Sequence, residues 1–124
     1  MDTLAWIAPL TARTLIGFYF VFFGLWNIYH WTPIIKIMIE DKIPLPLLTL
    51  QIGIFCQIVA GAMIMANLFT QIAAILLMPF TVLAVFMFHP FWRHRGETLK
   101  LNFSIFMANI TVTLGALLLL ASAP

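Results

Sequence analysis

The sequence predicts an all-α fold: an integral membrane four-helix bundle with a short interfacial helix between the first and second spanning helices. Of the 124 residues, 64% are hydrophobic and 8% are charged, whereas a soluble domain has about 25% charged residues. Three stretches of 22, 50 and 24 residues, at 14–35, 43–92 and 101–124, contain no Asp, Glu, Lys or Arg. Because a spanning helix needs about 20 apolar residues, the middle stretch holds two helices and the others hold one each.

These elements use nearly the whole chain, so we expect a single transmembrane domain over 1–124 and no soluble catalytic domain. The spanning helices are expected at about 9–30, 47–68, 71–88 and 100–121, and the interfacial helix at about 33–41. The interfacial helix follows Thr32 and Pro33, which favour the N-cap and the first position of a helix. Pro79 is expected to kink the third span.

The first span carries a stripe of small and polar residues on an otherwise apolar helix. Its members recur at spacings of four and three residues and therefore share one face: Arg13, Gly17, Phe20, Gly24, Asn27 and Trp31. In a bilayer, small and polar faces pack against protein. We therefore expect Gly17 and Gly24 to contact other helices, as we do for Gly53 and Gly61 of the second span.

Amide side chains within the spans form a second candidate feature. Gln57 lies between Gly53 and Gly61 on one face of the second span, and Asn102 and Asn109 share a face of the fourth. An amide in hydrocarbon needs a partner and commonly joins helices. Two interpretations stay open for the amides of the spans, namely links between helices or a polar layer that holds a ligand such as a quinone headgroup: Asn27, Gln57, Asn102 and Asn109.

Arg13 is the one basic residue at its end of the predicted bundle. One interpretation is an anchor whose side chain extends to the nearby membrane surface. The other is a contact with an anion, a polar headgroup or a partner protein. No acidic residue lies in any predicted span, so Asp2 is the one carboxylate that the sequence offers as a candidate partner for Arg13.

The remaining cations predict the orientation of the chain. They lie in the two loops on one side of the predicted bundle: Lys36, Lys42, Arg93, Arg95 and Lys100. Loops rich in Lys and Arg face the cytoplasm, so both termini are expected in the periplasm of a bacterial inner membrane. The start, MDTLAW, has no basic segment, and no cleaved signal peptide is expected. The net charge of +2 gives no reason to expect a nucleic-acid partner.

The sequence contains no recognisable catalytic constellation. The single cysteine, Cys56, excludes a CxxC redox pair and a thiol enzyme of the vitamin K reductase type. His30 and His89 are weak candidate metal ligands, because they would lie at the same membrane face but fit no specific metal motif. A haem is therefore disfavoured, and no metal site is predicted.

The pattern Arg13-x3-Gly17-x6-Gly24-x2-Asn27 resembles the opening of DoxX-type membrane proteins. The entry Pro44-Leu-Pro46 into a second span that carries Gln57 is also similar. The resemblance implies a small four-helix protein of the bacterial inner membrane. In some members it implies a link to quinone-dependent oxidation of sulfur compounds or to oxidative-stress complexes. The family often has Lys where Asn27 stands and Glu where Gln57 stands, so amides replace both charges here.

Three functions are compatible with these features. The first is a subunit or accessory of a respiratory or redox complex, embedded in the lipid bilayer beside a membrane protein partner or a second copy, and near a quinone site. The second is a stand-alone membrane oxidoreductase that binds quinone or haem. The third is a small transporter or channel, which is less favoured because proton coupling in small four-span antiporters needs a membrane carboxylate.

Overall fold

The computed structural model describes residues 2–122, and every regular element in that range is helical. The α-helices are α1 (Asp2–Tyr29), α2 (Trp31–Glu40), α3 (Pro46–Ala66), α4 (Thr70–Phe88), α5 (Gly96–Ala108) and α6 (Leu114–Ser122). A 3-10 turn at Phe91–Arg93 follows α4, and a π-helical turn at Asn109–Thr113 joins α5 to α6. The predicted all-α fold class is confirmed.

Four segments are long and apolar enough to cross a membrane: Asp2–Tyr29, Pro46–Ala66, Thr70–Arg93 and Gly96–Ser122. The last segment consists of α5, the π-helical turn and α6 in one continuous helix. The short α2 lies between the first and second spans, where the sequence predicts a non-spanning helix. The architecture is therefore the predicted bundle of four spans with one short helix.

Three helix starts differ from the expected positions, and one of them is the fourth span, which begins at Gly96 rather than near Lys100. Helix α1 begins at Asp2 rather than near Pro9, because Pro9 removes one backbone N–H and the turns before it keep their other hydrogen bonds. Helix α2 begins at Trp31, directly after α1, and the backbone N–H of Ile34 donates to His30 O at 3.1 Å. Thr32 therefore lies inside α2, and the prediction that it caps this helix is wrong.

Helix α1 packs along α3, α3 packs against α4, and α4 packs against α6. The larger buried cluster lies among these helices and includes Ile64, Leu77 and Leu117, each with no exposed surface. A smaller cluster of Met38, Leu50 and Ile54 fixes α2 against the start of α3. Much of the remaining apolar surface is exposed, as expected of helices that lipid or partner proteins cover.

Candidate functional site

Helices α1 and α3 approach each other closely at a pair of glycines. A Cβ atom added to Gly17 would lie 2.5 Å from Gly61 O, and one added to Gly61 would lie 2.8 Å from Gly17 O. One added to Gly24 would lie 2.6 Å from Ile58 Cγ1. No side chain fits at these three positions without movement, so the glycines allow the two backbones to meet.

Gly53 lies in a different environment. A Cβ atom there would be 3.4 Å from Phe80 Cε1, which is an ordinary contact distance with α4. Gly53 is therefore not part of the close α1–α3 contact.

Asn27 and Gln57 form a hydrogen bond across the same helix contact. Asn27 Nδ2 donates to Gln57 Oε1 at 2.8 Å, and Gln57 is only 7% exposed. Asn27 follows Gly24 by one helical turn and Gln57 precedes Gly61 by one turn, so the glycines bring the helices close enough for the amides to meet. The bond uses one donor and one acceptor, which leaves the Asn27 carbonyl oxygen and the Gln57 amino group with further hydrogen-bonding capacity.

An apolar groove of about 340 Å³ lies beside this contact. Its lining residues come from α1, α2 and α3 and include Ile28 and Ile58, the residues that follow Asn27 and Gln57. Trp31 and Phe55 supply aromatic surface, and Gln51 supplies an amide. Asn27 and Gln57 do not line this groove, and Gln51 is the one amide that the described residues place in its wall.

The amides of the fourth span bond elsewhere. Asn102 Oδ1 lies 2.9 Å from His89 Nδ1, and Asn102 Nδ2 donates to Thr98 O at 2.9 Å. Asn109 Nδ2 donates to Ile105 O, one turn earlier in its own helix. These contacts do not connect Asn102 or Asn109 to the Asn27–Gln57 pair.

His30 and His89 both use a ring nitrogen in local contacts. His30 Nδ1 lies 3.0 Å from Trp26 O, and its ring stacks on Trp26 with a centroid distance of 4.2 Å. His89 contacts Asn102, as described above. Within residues 2–122, no three His, Cys, Asp or Glu side chains come close enough together to hold a metal ion.

Arg13 lies at the opposite end of the bundle from both histidines, beside the turn between α3 and α4. Its Nε atom is buried and has no hydrogen-bond partner among the described residues. Arg13 also lines a partly open cavity of about 380 Å³. The structure thus separates Arg13 from the amide pair, although Arg13 and Asn27 belong to one stripe of α1.

Two features that involve the fourth span are not predicted by the sequence patterns described above. The His89–Asn102 contact joins residues 13 apart across a loop, and no helical periodicity relates them. The π-helical turn coincides with the run Asn-Ile-Thr-Val-Thr, where Thr111 Oγ1 donates to Met107 O at 2.6 Å. The signal for this turn is the run of β-branched residues with side chains that compete for backbone carbonyls.

Comparison with known proteins gives two matches. The family model of DoxX matches residues 8–90, a region that contains the glycine contact and both members of the amide pair. The chain is 27% identical over 112 residues to the inner membrane protein YphA of Escherichia coli (strain K12), across 90% of this chain and 79% of that protein. No solved structure gives a significant match.

Proposed function

Because this chain belongs to the DoxX family, we propose that it is a multi-pass protein of the bacterial inner membrane that acts as a subunit or accessory of a respiratory or redox complex, beside a bound quinone. Its four potential spans and its similarity to an inner membrane protein support the location. The cation-rich loops would face the cytoplasm and both termini the periplasm.

The observation that carries the quinone assignment is the hydrogen-bonding capacity left on the Asn27–Gln57 pair. The Gln57 amino group can donate to a quinone carbonyl, and the Asn27 carbonyl oxygen can accept from a quinol hydroxyl. The pair therefore complements both redox forms of the ring. Two neutral amides do not exchange protons with the ligand, so the site is suited to holding a quinone rather than to catalysing its reduction.

The adjacent groove supports the same assignment. Its volume of about 340 Å³ lies within the range of about 300–1,000 Å³ typical of small-molecule sites. Apolar and aromatic side chains form most of its wall, and its open side allows a long apolar tail to continue into lipid. Ile28 and Ile58 separate the groove from the amide pair, so a quinone would contact the pair only if these two side chains move aside.

The exposed faces of the spans support an accessory role. In the fourth span, Val112 is 71% exposed and Leu119 is 73% exposed. On α1, Phe18, Phe22 and Trp26 present a further aromatic surface. These surfaces are available to a partner subunit as well as to lipid.

The test is purification from native membranes in mild detergent, with mass spectrometry, quinone extraction and an absorption spectrum on one sample. We expect redox subunits and quinone to copurify, and quinone to be lost from Gln57→Leu. The matched control, Asn109→Leu, replaces an amide that bonds within its own helix and should retain quinone.

Three results would overturn parts of this proposal. A lone protein carrying quinone or haem identifies a stand-alone oxidoreductase. A lone protein with lipid only removes the redox assignment and leaves transport or a structural role. Equal quinone content in Gln57→Leu and the wild type places the quinone away from the amide pair.

A further inference from the structure

The cavity beside Arg13 is formed where three helices meet. Pro9 and Arg13 come from α1, Thr70 and Ile72 from the start of α4, and Leu120 from the end of α6. Its volume of about 380 Å³ is large enough for a polar headgroup, and it is open on one side. This site is separate from the amide pair, and the inference drawn from it does not depend on the proposed function.

Among residues 2–122, the cationic side chain in this cavity has no counter-ion. Arg13 Nε is buried and has no hydrogen-bond partner among these residues. The ion pair found among residues 2–122 joins Lys100 to Glu97 in the cation-rich region of the chain. A buried donor on a charged group is costly unless a partner of opposite charge reaches it.

The amino end of α4 forms another wall of the cavity. The first amides of an α-helix have no partner within the helix, and their partial positive charge favours an anion. No described side chain caps this helix end, and Thr70 Oγ1 donates away from it, to Asn67 Oδ1 at 2.7 Å. The guanidinium and the helix end therefore present positive charge to the same space.

The position of Arg13 along α1 places the cavity near the edge of the hydrocarbon core of the bilayer. With a rise of about 1.5 Å per residue, Arg13 lies about 24 Å along α1 from Tyr29. If Tyr29 marks one edge of a core about 30 Å thick, Arg13 lies about 6 Å inside the other edge. An arginine side chain spans that distance, so its guanidinium can reach the edge of the core, next to the headgroup layer.

We propose that this cavity binds the phosphate group of a phospholipid in the surrounding leaflet, and that the headgroup of this lipid has a net negative charge. The phosphate would contact the Arg13 guanidinium and the first amides of α4. A headgroup of net charge −1 neutralises Arg13. A zwitterionic headgroup brings an additional cation, and no described carboxylate lines the cavity to receive it.

The proposal is tested by native mass spectrometry of the purified protein titrated with dioleoylphosphatidylglycerol or dioleoylphosphatidylcholine. We expect the wild type to bind the anionic lipid at least tenfold more tightly, and Arg13→Gln to lose this preference. Arg93→Gln is the matched control, because it removes an exposed cation at the other end of the bundle and should keep the preference.

A second variant pair keeps the test decisive if Arg13→Gln does not fold. Ile72 is 55% exposed and lines the cavity, so both substitutions are tolerable there. Ile72→Glu supplies an internal counter-ion and should abolish the preference for the anionic lipid. Ile72→Gln has the same shape without the charge and should retain it.

Titration with inorganic phosphate shows whether the cavity binds free phosphate or the phosphate of a lipid. If phosphate raises the melting temperature of the wild type as much as the anionic lipid does, the site takes free phosphate and the lipid assignment is wrong. If Arg13→Gln or Ile72→Glu keeps the full lipid preference, the cavity is not an anion site.

Discussion

Asn27 and Gln57 are 30 residues apart in the sequence, yet a hydrogen bond of 2.8 Å joins their side chains across α1 and α3. Glycines one turn away on each helix allow this contact, because a side chain at Gly24 or Gly61 would collide with the facing helix. Close backbone packing and polar pairing thus occur together in one helix contact, and each can be tested separately.

Gly17→Ala is expected to destabilise the bundle by about 1–3 kcal/mol, since the added methyl group overpacks the contact with Gly61. Gly115→Ala is the matched control, because nothing lies within 4 Å of a Cβ atom at that position. It should be neutral or stabilising by up to about 1 kcal/mol. Thermal unfolding in detergent, followed by circular dichroism, measures both; equal melting temperatures would contradict the close packing of α1 on α3.

Asn27→Leu and Gln57→Leu should each destabilise the protein, because each leaves one amide without its partner. In the double variant neither amide remains, so the combined loss should be smaller than the sum of the two. We expect a coupling energy of about 0.6–1.7 kcal/mol, which are the average and the maximum found for hydrogen bonds between helices of one membrane protein. A double-mutant cycle from denaturant unfolding gives this value, and strict additivity would show that the bond contributes nothing.

A charged pair at these positions, as the resemblance to DoxX-type proteins implies, is expected to affect stability differently from the leucine substitutions. Gln57→Glu alone should destabilise the fold by about 2.5–3.5 kcal/mol, the cost of one charge near the centre of a spanning helix. Asn27→Lys alone should cost less, because Asn27 lies near the end of α1. The double variant should recover most of that loss, because the amide contact of 2.8 Å becomes an ion pair. No recovery in the double variant would mean that the present geometry cannot accommodate the charged pair.

The proposed orientation predicts which cysteines an impermeant reagent can reach. In a Cys56→Ser background, Thr3→Cys should react in intact spheroplasts, whereas Glu97→Cys should react only after the membrane is opened. Both positions are exposed, so accessibility within the protein does not limit either reaction. The reverse labelling pattern would place the cation-rich loops outside the cytoplasm.

Composition and helical period predict the number of spans and the residues that share one helix face. Charge-free stretches determine the number of spans, and a spacing of three and four residues places Gly17, Gly24 and Asn27 on one face of α1. The partner of Asn27 does not follow in the same way. Gln57 and Asn109 are both amides within spans, and which of them meets Asn27 depends on the register between helices, which packing sets.

Helix starts, loop contacts and cavities likewise depend on packing that the local sequence does not determine. Pro9 is a frequent first residue of a helix, so its position inside α1 depends on the turns that precede it rather than on its own preference. The His89–Asn102 contact depends on how the loop between α4 and α5 folds back. The space in front of Arg13 exists only because α1, α4 and α6 converge there.

The π-helical turn at Asn109–Thr113 acts as one inserted residue within the fourth span. It offsets the three- and four-residue spacing by one position, so residues on one face of α5 are continued on the same side of α6 by residues one position later in the sequence. A single-residue deletion in this turn should therefore restore a regular α-helix and leave the orientation of α6 against α4 unchanged, whereas a deletion within α5 or α6 would rotate the residues that follow by about 100°. The fourth span thus keeps α5 aligned to His89 and α6 to the buried core within one continuous helix.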